Sequence, residues 1–244
     1  MIERDSMKKK KFAVFDIDGT IFRSSLTVEL MDALIQEGVF PARVREVYAR
    51  AYQQWLDRKD SYDTYMWAVV KAYNDNLKGV AHRDIVRVAR KVAAFHKNRV
   101  YRFTRDLLHK LRQQDYYLVA VSHSSAIIVH EFCKRLGFHK FYGRLHEVDE
   151  AGMLTGKHLA EELIGSKSKL VEHLIEKKGL SRRGSVGVGD TEFDIPIFEM
   201  VEQPICFNPN MKLYHYAKQK GWTIIVERKD VIYNLNKRHR HKVA

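Results

Sequence analysis

Two kinds of apolar pattern alternate along the chain. Phe12-Ala-Val-Phe15, Tyr116–Val121 and Ser185–Gly189 run without polar interruption, which predicts strands buried on both faces, as in a parallel sheet. Pro204–Phe207 and Trp222–Val226 predict two more. Between the first two strands the apolar positions recur every three or four residues: Leu30, Met31, Leu34, Ile35; then Val44, Val47, Tyr48, Ala51, Tyr52, Trp55; then Tyr62, Tyr65, Met66, Val69, Val70, Tyr73; then Ile85, Val88, Ala89, Val92, Phe95. This spacing predicts four helices and no strand over 24–98, punctuated by Gly38, Pro41 and Gly79. Further helices are predicted around Phe103–Leu111, from Ile127 to Gly137, over Lys167–Lys178 and over 210–220. Residues 141–158 alternate loosely about Asp149-Glu-Ala-Gly152 and predict a hairpin.

Strand–helix alternation interrupted by one helical block implies an α/β fold. The expected core is a Rossmann-like parallel sheet made by 11–23 and 99–235. An all-helical cap, 24–98, is inserted after the first strand and sits over the carboxyl ends of the strands. The aromatic stripes of that block read as helix core. The ends, 1–10 and 236–244, read as flexible basic tails.

Composition narrows this little. Of 244 residues, 45% are hydrophobic and 11% aromatic, ample for a sizeable core in one or two domains. No apolar run is long enough to predict a membrane-spanning helix. The N-terminal residues contain no apolar segment before the first strand, so no secretory signal is expected. Cys133 and Cys206 lie far apart without metal-ligand spacing and read as thiols of a reducing cytoplasm. The net charge of +13 favours an anionic partner: a phosphorylated small molecule, nucleic acid or an acidic membrane. The basic runs, Lys8–Lys11 and Lys237–Lys242, lie at the ends rather than on an aromatic-interleaved platform, which argues against nucleic acid. They suit peripheral contact with an anionic membrane.

The chemistry sits where strands stop. Asp16-Ile-Asp18-Gly19-Thr20 follows the first strand directly, and Gly19 permits a sharp bend. Two carboxylates side by side at a buried strand end are costly unless a cation or donors compensate them. The second strand stops at Ser122-His123-Ser124-Ser125, and the third at Asp190, followed by Asp194. In a parallel sheet these ends share one edge, where ligands bind. Four carboxylates there suit a divalent metal with oxygen ligands. Ser122, leading into a helix, can offer a hydroxyl and backbone N–H groups to a phosphate oxygen. Lys167 can bring a fixed charge, although a surface lysine is the simpler reading from position alone.

With these motifs in this order, the chain resembles the haloacid dehalogenase (HAD) superfamily, subclass IB, the phosphoserine phosphatase-like hydrolases. The motifs are Asp16-Ile-Asp18-Gly19-Thr20; Val-Ser122-His123-Ser124; Lys167 in Gly-Ser-Lys-Ser-Lys; and Gly189-Asp190-Thr-Glu-Phe-Asp194. The ending Asn208-Pro-Asn-Met-Lys212 with Lys220-Gly-Trp222 is also similar, and the likeness covers 11–226. The resemblance implies Asp16 as a nucleophile forming an aspartyl-phosphate, and Asp18 as general acid and base. It implies Mg²⁺ held by Asp16, the Asp18 backbone carbonyl and Asp190, with Asp194 in support. Ser122, His123 and Lys167 would bind the phosphoryl group; Lys167 is preferred to Lys169 by its spacing to Asp190. An Asp at position 18 points toward phosphoryl transfer and away from the dehalogenase branch.

The expected activity is hydrolysis of a phosphomonoester. The alternatives are a phosphotransferase using the same intermediate, or a basic nucleic-acid- or membrane-binding protein on a HAD scaffold. Family members selective for L-phosphoserine carry a Glu nine residues after the nucleophile, where this chain has Ser25, and a cap arginine. The helix Ser61–Leu77 has no arginine, though Arg43, Arg45, Arg50 and Arg58 lie elsewhere in the block. A larger phosphomonoester, such as a lipid or sugar phosphate, is therefore expected in place of L-phosphoserine.

Overall fold

The computed structural model describes residues 9–159 and 167–236. Residues 1–8, 160–166 and 237–244 lie outside the described residues, and with them Lys8 of the first basic run, all of the second, and Gly165-Ser166 ahead of Lys167. In chain order the elements are β1 (Lys11–Phe15), α1 (Leu26–Gln36), α2 (Val44–Leu56), α3 (Tyr62–Asp75), α4 (His82–Phe95), α5 (Arg102–Gln113), β2 (Tyr117–Ser125) and α6 (Ala126–Leu136). There follow β3 (Lys140–Val148), β4 (Leu154–Leu159), α7 (Lys167–Lys178), β5 (Ser181–Gly189), a 3₁₀ turn (Glu192–Asp194) and α8 (Ile195–Phe198). The last are β6 (Gln203–Phe207), α9 (Met211–Lys220), β7 (Thr223–Arg228) and β8 (Val231–Asn234).

The strands form one sheet in the order β4-β3-β2-β1-β5-β6-β7-β8. The six inner strands are parallel, and β4 and β8 close the edges antiparallel. The apolar runs are central for a physical reason: Phe12, Val14, Val119 and Val121 pack on one face against Val171, Leu174 and Ile197, while Ala13, Phe15, Leu118 and Ala120 pack on the other. The strand order reverses between β1 and β5, which opens a crevice at their carboxyl ends. Lys10 and Asn236, assigned to the tails from sequence, are bonded into the sheet's margins. The Lys10 carbonyl accepts the Ser181 N–H, and Asn236 accepts the Ile224 N–H.

The helices α1–α4 do not stand apart from the sheet. Leu26, Leu30, Ile85 and Val88 share one apolar cluster with Phe22, Ile128 and Phe132. The chain enters and leaves the block through paired segments: Arg23 N–H donates to the Arg99 carbonyl, and Tyr101 N–H to the Ile21 carbonyl. At the far side the α3–α4 loop is strapped to the β3–β4 turn. Gly79 N–H donates to the Leu154 carbonyl, Leu154 N–H to the Val80 carbonyl, and His82 N–H to the Gly152 carbonyl.

The aromatic stripe of α3 divides in two, which corrects its reading as core alone. Tyr65, Val69, Ala72 and Tyr73 are buried in the bundle. Tyr62, Asp63, Met66, Trp67 and Val70, on the adjoining face, line a cavity above the sheet.

Candidate active site

The bend after β1 sets the geometry. Gly19 adopts φ +78°, and a Cβ there would stand 2.1 Å from the Asp190 Oδ2. Only a residue without a side chain lets the first motif close down on the fourth. Thr20, fully buried, donates to Asp190 Oδ1 at 3.2 Å.

Asp16, Asp190 and Asp194 converge so that one carboxylate oxygen from each lies within 4.8 Å of the others. Asp16 and Asp194 are buried and Asp190 half-buried. Lys167 is 5% exposed, not a surface residue, and its Nζ lies 2.6 Å from Asp16 Oδ1 and 2.7 Å from Asp194 Oδ1. Asp194 Oδ2 accepts the backbone N–H groups of Asp190 and Thr191, which locks the turn.

The charges do not balance. Burial, reinforced by Asp194 and Asp18 and only partly offset by Lys167, pushes the Asp16 carboxyl up to about 8. Burial and the neighbouring Asp16 and Asp194 likewise hold Asp190 well above the usual carboxylate range. Burial opposes the Lys167 charge, but the two carboxylates it contacts outweigh that and keep it protonated. One ammonium among three crowded carboxylates leaves room for further positive charge. An all-oxygen donor set of this kind fits a hard divalent cation.

Asp18 belongs to a different network. Its Oδ2 accepts the Ser122 hydroxyl at 2.6 Å and the Ser124 hydroxyl at 2.9 Å, and its Oδ1 accepts the Leu26 N–H at 2.5 Å. The Ser124 hydroxyl is also 2.8 Å from the Thr27 Oγ1. Ser122 is placed differently from its sequence reading. Strand β2 runs on to Ser125, so the helix begins four residues past Ser122, and the Ser122 hydroxyl is buried against Asp18. Its oxygen in turn accepts the Ser124 N–H.

The cavity over these groups has a volume of ≈ 460 Å³. Asp16, Asp18, Lys167 and Asp190 form its floor, with His123 beside them. Burial, with Lys167 and Arg144 nearby, lowers the His123 imidazole to about 4, so it is neutral at physiological pH. Trp55, Tyr62 and Trp67 form the roof, and Trp67 meets Phe193 edge-on with ring centroids 6.5 Å apart. Arg23, Arg99 and Arg144 also line the cavity, whereas Arg43, Arg45, Arg50 and Arg58 do not. No periodic or motif signal marks these three arginines in the sequence. Two sit on the paired segments that enter and leave the helical block, and the third on a strand read only as half of a hairpin.

The profile of the haloacid dehalogenase-like hydrolase family matches residues 13–199. Curated relatives include a histidinol-phosphatase of Neisseria meningitidis, 22% identical over 88% of this chain and 98% of its own length. They also include a phosphoserine phosphatase of Mycobacterium tuberculosis, 25% identical over 87% of this chain and 69% of its own length. Among solved structures, a Bordetella pertussis protein of unknown function superposes with a TM-score of 0.69 at 16% identity, over 89% of this chain and 98% of that one. A phospho-aspartyl intermediate analogue of phosphoserine phosphatase superposes with a TM-score of 0.59 at 21% identity, over 91% and 96%. Among the described residues no helix is long and apolar enough to cross a membrane. The chain belongs to the haloacid dehalogenase-like hydrolase family and has a phosphoserine phosphatase-like fold.

Proposed function

We propose that this hydrolase is a Mg²⁺-dependent phosphomonoester phosphatase that works through an aspartyl-phosphate on Asp16. The observation that carries the reading is the buried trio Asp16, Asp190 and Asp194 held around Lys167, directly beside a separately held Asp18. The phosphatase names of the curated relatives support it.

In this reading Asp16, Asp190 and Asp194 would hold the metal, which would supply positive charge beside the nucleophile and the phosphoryl oxygens. Lys167 holds Asp16 Oδ1, leaving Oδ2 to attack phosphorus. As that bond forms, the bond from phosphorus to the ester oxygen breaks, and Asp18 gives the leaving oxygen its proton. Asp18 then takes a proton from the water that hydrolyses the aspartyl-phosphate, and inorganic phosphate leaves. The donors around Asp18 suit both roles, because the Ser122 and Ser124 hydroxyls can rotate as it gains and loses a proton. Ser122 would pass its hydroxyl from Asp18 to a phosphoryl oxygen, with neutral His123 as a further polar contact. Residues 24–98 act as a cap that excludes water from the floor.

The cavity is large for L-phosphoserine, and Ser25, nine residues after Asp16, is buried and uncharged. A phosphomonoester with a bulkier apolar body is the better fit to the aromatic roof. The test is phosphate release from phenyl phosphate with Mg²⁺ and no added acceptor. Steady turnover is expected; a single burst that needs an acceptor to continue would make the protein a phosphotransferase, and no release would overturn the reading.

A further inference from the structure

The sheet brings a positive charge to the cavity that the phosphatase chemistry does not use. Strand β2 places three residues between Val121 and Ser125 where its partner β3 places one, Gly143, between Tyr142 and Arg144. The extra residues form a bulge that redirects side chains at the strand end, and His123 from this bulge lines the cavity. Opposite the bulge is Gly143. A Cβ there would stand 2.7 Å from the Ala126 Cα and 2.9 Å from the Ser124 carbonyl oxygen. Glycine thus lets β3 press against the bulge, and this carries Arg144, in register with Ser125, to the cavity wall.

Arg144 is half-buried, and among the described residues it forms no ion pair with a carboxylate. Its neighbours do not neutralise it. His123 and His146 are both neutral at physiological pH, and the Arg144 charge itself helps to hold each imidazole low. A partly desolvated guanidinium with no carboxylate at ion-pair distance among the described residues is costly unless a ligand supplies the anion. Lys167 already faces Asp16 and Asp194 on the floor and Arg99 is paired with Glu29, so Arg144 is a further cationic position on the cavity wall, brought there by β3.

We propose that Arg144, with His123 beside it, is a specificity-determining anion subsite that binds a second anionic group on the body of the phosphomonoester. The proposal rests on the phosphatase reading above. The ligand is a phosphomonoester with an anionic group on its body and no ammonium group, its linking portion held under Trp55, Tyr62 and Trp67. Its second group is a carboxylate or a second phosphate. Both suit the planar guanidinium fork.

The experiment compares phenyl phosphate with its 3- and 4-carboxyphenyl analogues and with 1,4-phenylene bisphosphate, in the native protein, Arg144→Ala and Arg144→Lys. The native protein should favour a charged-bodied ester over phenyl phosphate. Arg144→Ala should cut that preference by about 10- to 100-fold, the value of one charge-assisted hydrogen-bonded contact. The loss should fall on KM more than on kcat, and Arg144→Lys should recover part of it. The carboxylate and bisphosphate arms show which anion the subsite takes. Equal losses on charged and uncharged esters would reduce Arg144 to a structural role and overturn the proposal. An unchanged preference, or a native protein that favours phenyl phosphate, would overturn it too. If the native protein turns over no ester at all, phenyl phosphate included, the phosphatase reading fails first and the subsite proposal falls with it.

Discussion

Gly19 and Asp190 touch across the crevice so closely that a methyl group on the first would stand 2.1 Å from a carboxylate oxygen of the second. Gly19→Ala therefore meets two penalties. The left-handed backbone at φ +78° costs about 1–2 kcal/mol for a residue with a Cβ, and Asp190 has to turn away from Asp16. The variant should fold with a lowered Tm, and its Mg²⁺-induced Tm rise should shrink markedly. A full Mg²⁺ shift would show that the contact does not set the metal site.

Lys167→Ala leaves Asp16 and Asp194 buried without their shared cation. Breaking a buried pair by removing one partner typically costs about 3–5 kcal/mol, so thermal unfolding should shift accordingly in the metal-free protein. Vanadate binding and turnover should be lost together. Lys169→Ala tests the alternative: the same losses there would transfer the role.

Asp16→Asn should abolish turnover with the fold retained by circular dichroism, since an amide is a poor nucleophile. Asp18→Asn should slow turnover by roughly 10²–10⁴-fold, the usual range for general acid–base help. A slowing below tenfold across all esters would remove Asp18 from that role. A chelator should silence the enzyme, with Mg²⁺ restoring it and Ca²⁺ doing so poorly, because Ca²⁺ prefers more ligands at longer distances.

His146 lies between Tyr73 and its cross-strand neighbour His158, and both of its ring nitrogens are buried without a hydrogen-bond partner. Burial first, then the charges of His158 and Arg144, lower it to about 4. The unfolded chain binds a proton near pH 6.5 that the folded chain refuses until about 4, so stability is lost as pH falls through that window. Lowering the pH from 7 to 5 should reduce Tm, and His146→Phe should make the reduction smaller. An identical slope in the variant would place the acid sensitivity elsewhere, with His123 the next group to test.

L-Phosphoserine should be a poor substrate by kcat/KM beside aryl and long-chain phosphates. Trp67→Ala should raise KM for the bulky esters more than for the small ones. If L-phosphoserine leads the panel, the roof has been misjudged while the floor chemistry stands.

The strand ends were legible because burial on both faces leaves an unbroken apolar run that halts at a polar residue of the candidate site, as at Asp16, Ser122 and Asp190. The helical block was legible from its period, and the Lys167–Lys178 helix begins and ends as its spacing predicts. What the sequence hid depends on tertiary packing. The burial of Lys167 follows from two acids distant in sequence. The split of α3 into an inward and a cavity face needs the neighbour that covers each side. Arg144 is in place because a bulge on another strand shifts the register, and pattern along β3 alone contains no trace of that. Strand β8, Val-Ile-Tyr-Asn, is exposed and only four residues long, so its brief apolar run gives a weaker signal than those of the inner strands.

The strap between the α3–α4 loop and the β3–β4 turn consists of main-chain bonds, so side-chain changes there leave its donors and acceptors in place. Any large swing of the helices away from the sheet has to break those three bonds or drag the hairpin along. The opposite corner, where Trp67 rests edge-on against Phe193, is fastened by side chains. The molecule thus has a riveted rim and a latched one. Drift in sequence can recut the latch, and with it which esters pass, while the rivets stay put.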